Sequence, residues 1–326
     1  MGTNLVPFVF FTLWVDPVNG SDTADGSMAT PIKTIKHALQ QIAPGDLADI
    51  HLKDGTYNAA SGETFPITLP AGVSLQGSTS SVIAGSGAYA GNATAVVAEG
   101  GNTITSVTFD VGAPSNTYGV ISTSGVSISS STFRNGFGGV FASSGDVTIS
   151  LTTFDTTGVG VYRCGAGSIV NSTFVAMSTP ILLTDGSCTL QDNQIGGSGG
   201  VGVEMQSTGV HSLVHNTFAR GAGYTNGAVH MSGAVQVVMR NNDIQAVAQV
   251  AVFSEDMTYL DLGTPSDPGQ NKLGRVDAVG IDHRSSATIP AFGNTWAHEP
   301  PAANVDIKQF PGAGQVAVAA GDFCAI

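Results

Sequence analysis

A short phrase returns along the chain: "ISSSTF" at 128, "ISLTTF" at 149, "IVNSTF" at 169 and "LVHNTF" at 213. Aligned on its last residue, it yields anchors at Phe109, Phe133, Phe154, Phe174, Ile195, Phe218, Ile244, Leu273 and Trp296. The intervals are 24, 21, 20, 21, 23, 26, 29 and 23 residues. Such a period belongs to a solenoid, whose units are each too small to bury an apolar face except against their neighbours. Two residues before the anchor a small polar residue recurs: Ser131, Thr152 and Ser172, then Asn193, Asn216, Asn242, Asn271 and Asn294. An Asn turned inward at one corner of every coil can bond both the backbone and the Asn of the next coil, which predicts an asparagine ladder.

Upstream of each anchor lies a second strand signal, as in "GGVFAS", "GVYRC", "GVEMQS", "AVHMS", "AVFSE" and "GIDHRS". Leucine-rich repeats have similar periods, but their leucine framework and helical segments are missing. The composition agrees with many short strands and tight turns: 43 of 326 residues are Gly and only 11% are charged. With 42% hydrophobic residues and no charge blocks, disorder is excluded. The expected fold is all-β: a single-stranded, right-handed parallel β-helix of three-strand coils, about ten coils in all, with an N-terminal α-helical cap.

The cap is expected in "PIKTIKHALQQI", residues 31 to 42, where Ile32, Ile35, Ala38, Leu39 and Ile42 share one helical face behind Thr30 as N-cap. A helix laid over the open end of a solenoid covers apolar surface and unpaired strand edges. "DLADIHLKDGTY" and "GVSLQG" read as strands of the first coils. The expected organisation is one domain over 1–326: opening strand, helix and first coil at 13–58, stacked coils at 59–298, and a C-terminal tail at 299–326.

The run "LWVDPVNGSDTADGSMATPIKTIKHALQQIAPGD", followed by "IHLKDGTY", resembles the opening segment of many bacterial β-helix proteins of the pectate-lyase-like superfamily. "GETFPITLPAGVSLQG", "LDLGTPSDPGQNKLG" and "GNTW" resemble more closely a bacterial β-helix family known only as a domain of unknown function. That resemblance implies the fold, together with an extracellular or cell-surface location. It says little about chemistry, because the same opening serves lyases, hydrolases, epimerases and non-catalytic surface proteins. "NTD", "GHG" and "RIK", which mark the polygalacturonase relatives, are absent.

Equivalent residues of successive coils stack about 4.8 Å apart, so outward columns can be read directly. If Val140, Val161, Val203, Val229, Val252 and Ile281 point inward, the next residues point out: Ile121, Phe141, Tyr162, Leu182, Glu204, His230, Phe253 and Asp282. Two residues on, a second column reads Thr123, Ser143, Cys164, Thr184, Gln206, Ser232, Glu255 and Arg284. The register turns Arg163 inward, where an unpaired charge is costly, so that strand is either shifted or ends there. Glu255 and Asp282, one coil and two residues apart, should stand roughly 8 Å apart, within the about 6.5–9.5 Å of an inverting glycosidase. Glu204 beside His230 is either an acid/base pair or an ion pair. The candidate catalytic residues are therefore Glu255, Asp282, His230 and Glu204, and the candidate substrate contacts Phe141, Tyr162, Phe253, Gln206 and Arg284. Arg284 is equally a structural partner for Glu255.

The formal charge of -13 repels nucleic acid and anionic membranes. The apolar run "LVPFVFFTLW" is too short to span a bilayer and lacks a basic flank, so no export signal is visible in it: either that signal lies elsewhere, or, the leading expectation, the run packs as a first strand or cap. Cys164, Cys188 and Cys324 follow no metal spacing; Cys164 and Cys188 are either bonded or buried as thiols. Asp16, Asn19, Asp22 and Asp25 hint at calcium but lack a ligand pattern, and no cofactor is expected. A row at Thr108, Thr132, Thr153, Thr173 and Thr217, broken at Gln194 and Asp243, is only part of the regular Thr array an ice-binding solenoid would need, which leaves that function a distant third reading. The leading expectation is a monomeric, extracellular, carbohydrate-active protein that binds, and in one version hydrolyses, a polysaccharide or cell-surface glycan. A non-catalytic surface or adhesion scaffold is the alternative.

Overall fold

The computed structural model describes residues 9–112, 115–197, 199–206, 208–219, 224, 226–244, 249–256, 258–274, 278–319 and 322–323. Cys324 and residues 5–8 of the apolar N-terminal run lie outside the described residues. The chain divides into two compact units, 1–145 and 146–326. Each unit is a parallel β-solenoid, and the strands of the two together make about ten turns.

In residues 1–145 the first sheet contains Phe10–Val15, Leu47–Leu52, Val73–Gln76, Asn102–Thr105 and Val126–Ser129. The second contains Gly55–Tyr57, Ser81–Ile83, Thr108–Asp110 and Thr132–Arg134, and the third Ile67–Leu69, Asn92–Ala98, Thr117–Ser122 and Gly138–Ala142. The apolar N-terminal run thus supplies the first strand, Phe10–Val15, paired in parallel with Leu47–Leu52. In residues 146–326 the third sheet runs through Val159–Tyr162, Thr179–Leu183, Val203–Met205, Val229–Met231, Val250–Ser254, Val279–His283 and Ile307–Gln309.

The repeating phrase is the corner between first and second sheets. Ser106, Ser130, Leu151, Asn171, Asp192, His215, Asn241 and Gln270 each adopt φ between 50° and 58°. This left-handed kink turns the chain in one residue, so that the residue after it points inward. All nine anchors are buried, and the phenyl rings of Phe109 and Phe133 stack at 4.8 Å, those of Phe154 and Phe174 at 4.7 Å. The asparagine ladder is present. Asn216 donates from Nδ2 to Asn242 Oδ1 at 3.0 Å, and Asn242 in turn to Asn271 Oδ1 at 2.9 Å. The same Nδ2 groups also reach backbone carbonyls of the coil before, Leu190 O and Leu213 O. Each buried amide is thereby satisfied on both sides.

The helix is shorter than the sequence pattern suggests, Ile35–Gln40, and its N-cap is Thr34 rather than Thr30. Ile32 is held in a parallel bridge to Val15, which keeps residues before Thr34 extended. Thr30 instead bonds Asp25 and Ser27 within the preceding turn. Ile32, Ile35, Ala38 and Ile42 are buried as expected, whereas Leu39 stays half-exposed. Glu63, buried beside the helix, accepts from the Ile35 and Lys36 amides. Burial, opposed by those two hydrogen bonds, raises its pKa to about 6.

Candidate functional site

The inward residues Val140, Val161, Val203, Val229, Val252 and Ile281 are all fully buried, so the register read from the sequence holds. In residues 146–326 the outward column follows it step by step: Tyr162 pairs with Leu182, Leu182 with Glu204, Glu204 with His230, His230 with Phe253 and Phe253 with Asp282. In residues 1–145 the corresponding positions differ. Ile121 lies opposite Phe141 but is buried, 2% exposed, so it is no surface residue. Phe141 is half-exposed and its ring packs 5.2 Å from that of Tyr118.

The second outward column breaks at Cys164. Arg163 takes up φ 64°, so the strand ends at Tyr162 and the chain turns over. Arg163 then points out to Asp185, and Cys164 points in, where it forms a disulfide with Cys188. Beneath that bond lies His211, fully buried, whose Nδ1 accepts from the Cys188 amide at 3.1 Å. Burial depresses its pKa to about 4, so the ring is neutral.

The ionisable residues of the strip pair differently from their sequence neighbours. His230 does not join Glu204; its Nε2 lies 3.2 Å from Glu255 Oε2, one coil on. Glu204 takes the Gln206 amide instead. Arg284 Nη1 lies 3.5 Å from Glu255 Oε1, and its Nε 3.1 Å from Asp282 Oδ1. The two acids proposed as a hydrolytic pair are therefore bridged by one guanidinium. Asp282 is also buried, 4% exposed, and takes a second cation, Lys308, at 3.5 Å.

The planar groups form a stack along the same strip. The His230 ring lies 4.9 Å from that of Phe253 at an interplanar angle of 14°. The Arg284 guanidinium sits 4.4 Å from the Phe253 ring and 4.4 Å from that of Phe310. Both cation–π contacts fall within the favourable range, about 6 Å. Phe310 and Lys308 come from the last coil, and the outward column stopped short of them: nothing in the phrase register extends past Trp296 to reach them.

No metal centre emerges from the acidic N-terminal loop. Asp16 accepts from the Val18 and Asn19 amides, Asp22 from those of Lys33 and Thr34, and Asp25 from Ser27 and Thr30. Asp16 and Asp25 are thus spent on their own turns, whereas Asp22 ties the loop to the start of the cap helix. Among the described residues, no three His, Cys, Asp or Glu side chains converge to hold a metal ion. The Thr row of the second sheet is in register, Thr108 with Thr132 and Thr153 with Thr173, and is interrupted where Gln194 and Asp243 flank Thr217. Among the described residues, no helix is long and apolar enough to cross a membrane.

A parallel β-solenoid whose interior is written by an asparagine ladder, and whose variation is concentrated on one outward strip, defines the class of protein. Within it the chain belongs to the DUF1565 family, a protein family of unknown function, which it matches over residues 18–303. Its fold is similar to that of the GH136 lacto-N-biosidase from Eubacterium ramulus. The native protein aligns with TM-score 0.58 and 10% identity over 95% of this chain and 67% of that one. The selenomethionine derivative aligns with TM-score 0.57 and 10% identity over 94% and 66%. The chain thus spans about two thirds of that structure's length. An alginate lyase from Paenibacillus sp. str. FPU-7 aligns with TM-score 0.47 and 15% identity over 85% of this chain and 95% of that one. At such identities the likeness is one of fold. No curated protein matches the sequence.

Proposed function

We propose that the chain is an extracellular or cell-surface carbohydrate-binding solenoid that takes up a glycan along the outward strip of the third sheet in residues 146–326. The observation that supports this is the stack His230, Phe253, Arg284 and Phe310, flanked by Glu204, Gln206, Glu255 and Lys308. The stacked groups spend their faces on one another and form a rigid ridge along the strip, and the polar groups beside it, reachable from solvent, could hydrogen-bond sugar hydroxyls. Tyr162 extends the same column. The lacto-N-biosidase that shares the fold is consistent with a glycan ligand, although the residues and not the likeness carry the proposal. The disulfide supports an oxidising location.

Hydrolysis is the second reading, favoured by the His230–Glu255 contact at 3.2 Å, an acid/base arrangement of one ring nitrogen and one carboxylate. The test is binding and turnover on a panel of polysaccharides with wild type, Arg284→Ala and Glu255→Gln. Binding that Arg284→Ala abolishes supports the strip, and turnover that Glu255→Gln removes adds catalysis. No binding to any panel member would sink the carbohydrate reading in favour of the non-catalytic scaffold.

A further inference from the structure

The N-terminal unit holds a cavity of about 620 Å³, open to solvent, between the cap helix and the first strand of the third sheet. That volume is in the range of small-ligand sites, about 300–1,000 Å³. Lys36, Leu39 and Gln40 form one wall, spaced three and four residues apart so that they share a helix face. The opposite wall is Thr64 to Thr68, with Phe65 held in place by the close approach of Gly85 and Gly87, where an added Cβ would strike its ring and its carbonyl.

Among the described residues the strand Ile67–Leu69 is the N-terminal edge of its sheet, pairing on one side only, with Asn92–Ala98. Leu69 O accepts from the Glu99 amide, so Leu69 and Ile67 direct their peptide groups toward that neighbour and Thr68 directs its own away, toward the cavity. Such an edge ordinarily invites another strand. Here Pro66 and Pro70 bracket it at the same parity as Thr68, and neither has an N–H to donate. A peptide strand would find a single amide donor. The Pro70 carbonyl is also taken, by Val73 N and Asn102 Nδ2. What remains is a set of separated polar groups: the Thr68 peptide, the Thr64 and Thr68 hydroxyls, the Gln40 amide and the Lys36 ammonium. They stand among the apolar faces of Phe65, Pro66 and Leu39.

The geometry points to a second carbohydrate site in this groove, one that takes a short neutral oligosaccharide. Hydroxyls satisfy isolated donors and acceptors that a β-strand cannot, and the C–H face of a sugar ring matches Phe65 and Pro66. A net charge of -13 disfavours an anionic ligand. The site is independent of the outward strip of residues 146–326, so either can fail without the other.

The test is calorimetric titration of the full chain with neutral chito-, xylo-, cello- and malto-oligosaccharides. Gln40→Trp fills the groove from an exposed helix position and leaves the core intact, which an unchanged melting temperature confirms. At least one oligosaccharide should bind, and Gln40→Trp should weaken it at least about tenfold, a change of about 1.4 kcal/mol, while His230→Ala leaves it unaltered. Lys36→Ala, which keeps the groove open, should weaken it less. Absence of binding by every oligosaccharide overturns the proposal. So does binding that Gln40→Trp leaves intact, or that His230→Ala abolishes. Capture of an extended acidic peptide in place of any sugar also overturns it, because the proline-flanked edge would then be a strand-docking site.

Discussion

The corner ladder and the outward strip are cut from the same repeat, yet they behave in opposite ways. Along the ladder one residue type persists through Asn193, Asn216, Asn242, Asn271 and Asn294, and each of the first four donates to the Asn of the next coil. Along the outward column of residues 146–326 no residue type repeats: Glu204, His230, Phe253 and Asp282 occupy successive steps. The difference is solvent. An inward amide has no water to fall back on, so every step must supply both donor and acceptor. An outward side chain can exchange a partner for water at small cost, which leaves the strip free to diverge in chemistry.

That contrast can be broken at the ladder first. Asn242→Ala removes two hydrogen bonds accepted from Asn216 and two donated, to Leu213 O and Asn271 Oδ1. Buried groups left unpaired cost about 1–3 kcal/mol each and are not additive, so a loss of about 4 kcal/mol is expected in urea denaturation. Ser172→Ala removes only a donation to Val170 O and an acceptance from Thr152 N, and should cost about 1–2 kcal/mol. Equal losses at the two sites would show that the Asn ladder carries no special share.

Two buried titratable groups sharpen the comparison through pH, with opposite signs. His211 has a pKa lowered to about 4 from 6.5 by burial, so the unfolded chain binds more protons between those values. Stability from this residue is full above pH 6.5 and is lost as pH falls toward 4, by about 3 kcal/mol. Glu63 has a pKa raised to about 6 from 4.5, so the folded chain binds more protons in that window. Its contribution is full below pH 4.5 and falls by about 2 kcal/mol as pH rises through 6. Urea midpoints between pH 4 and 7 should flatten on the acid side in His211→Asn, which keeps an acceptor for the Cys188 amide. Glu63→Gln should steepen the same limb. Unchanged profiles in both would mean that neither group is buried as described.

The smallest effect is expected on the strip. Glu204→Gln, whose carboxylate takes the Gln206 amide and no other side chain among the described residues, should change stability by less than about 0.5 kcal/mol. It should nevertheless alter glycan affinity, measured by titration, if the strip is the binding surface. A stability loss like that of Asn242→Ala would erase the distinction between the two columns.

The solenoid, its coil register, the anchors and the ladder were all legible in the sequence, because burial repeats them and a repeat is visible without coordinates. Val203, Val229, Val252 and Ile281 point inward for that reason, and Glu204, His230 and Phe253 stack beside them as read. Partners were not legible. His230 lies beside Glu204 in the column, but the Glu255 side chain, one coil on and in the neighbouring column, reaches its ring nitrogen at 3.2 Å. Arg284 could be named as a partner of Glu255, but its bridging of Glu255 and Asp282 at once depends on where Phe253 and Phe310 hold its plane. One left-handed residue, Arg163, undid the outward position of Cys164 and sealed it into a disulfide.

What the sequence determined by itself was the lattice, since periodic burial leaves a periodic text. What only the tertiary structure decided was how charges, rings and strand edges from coils more than twenty residues apart meet on that lattice. Those contacts are made between side chains whose reach and direction are set by packing, and they do not repeat.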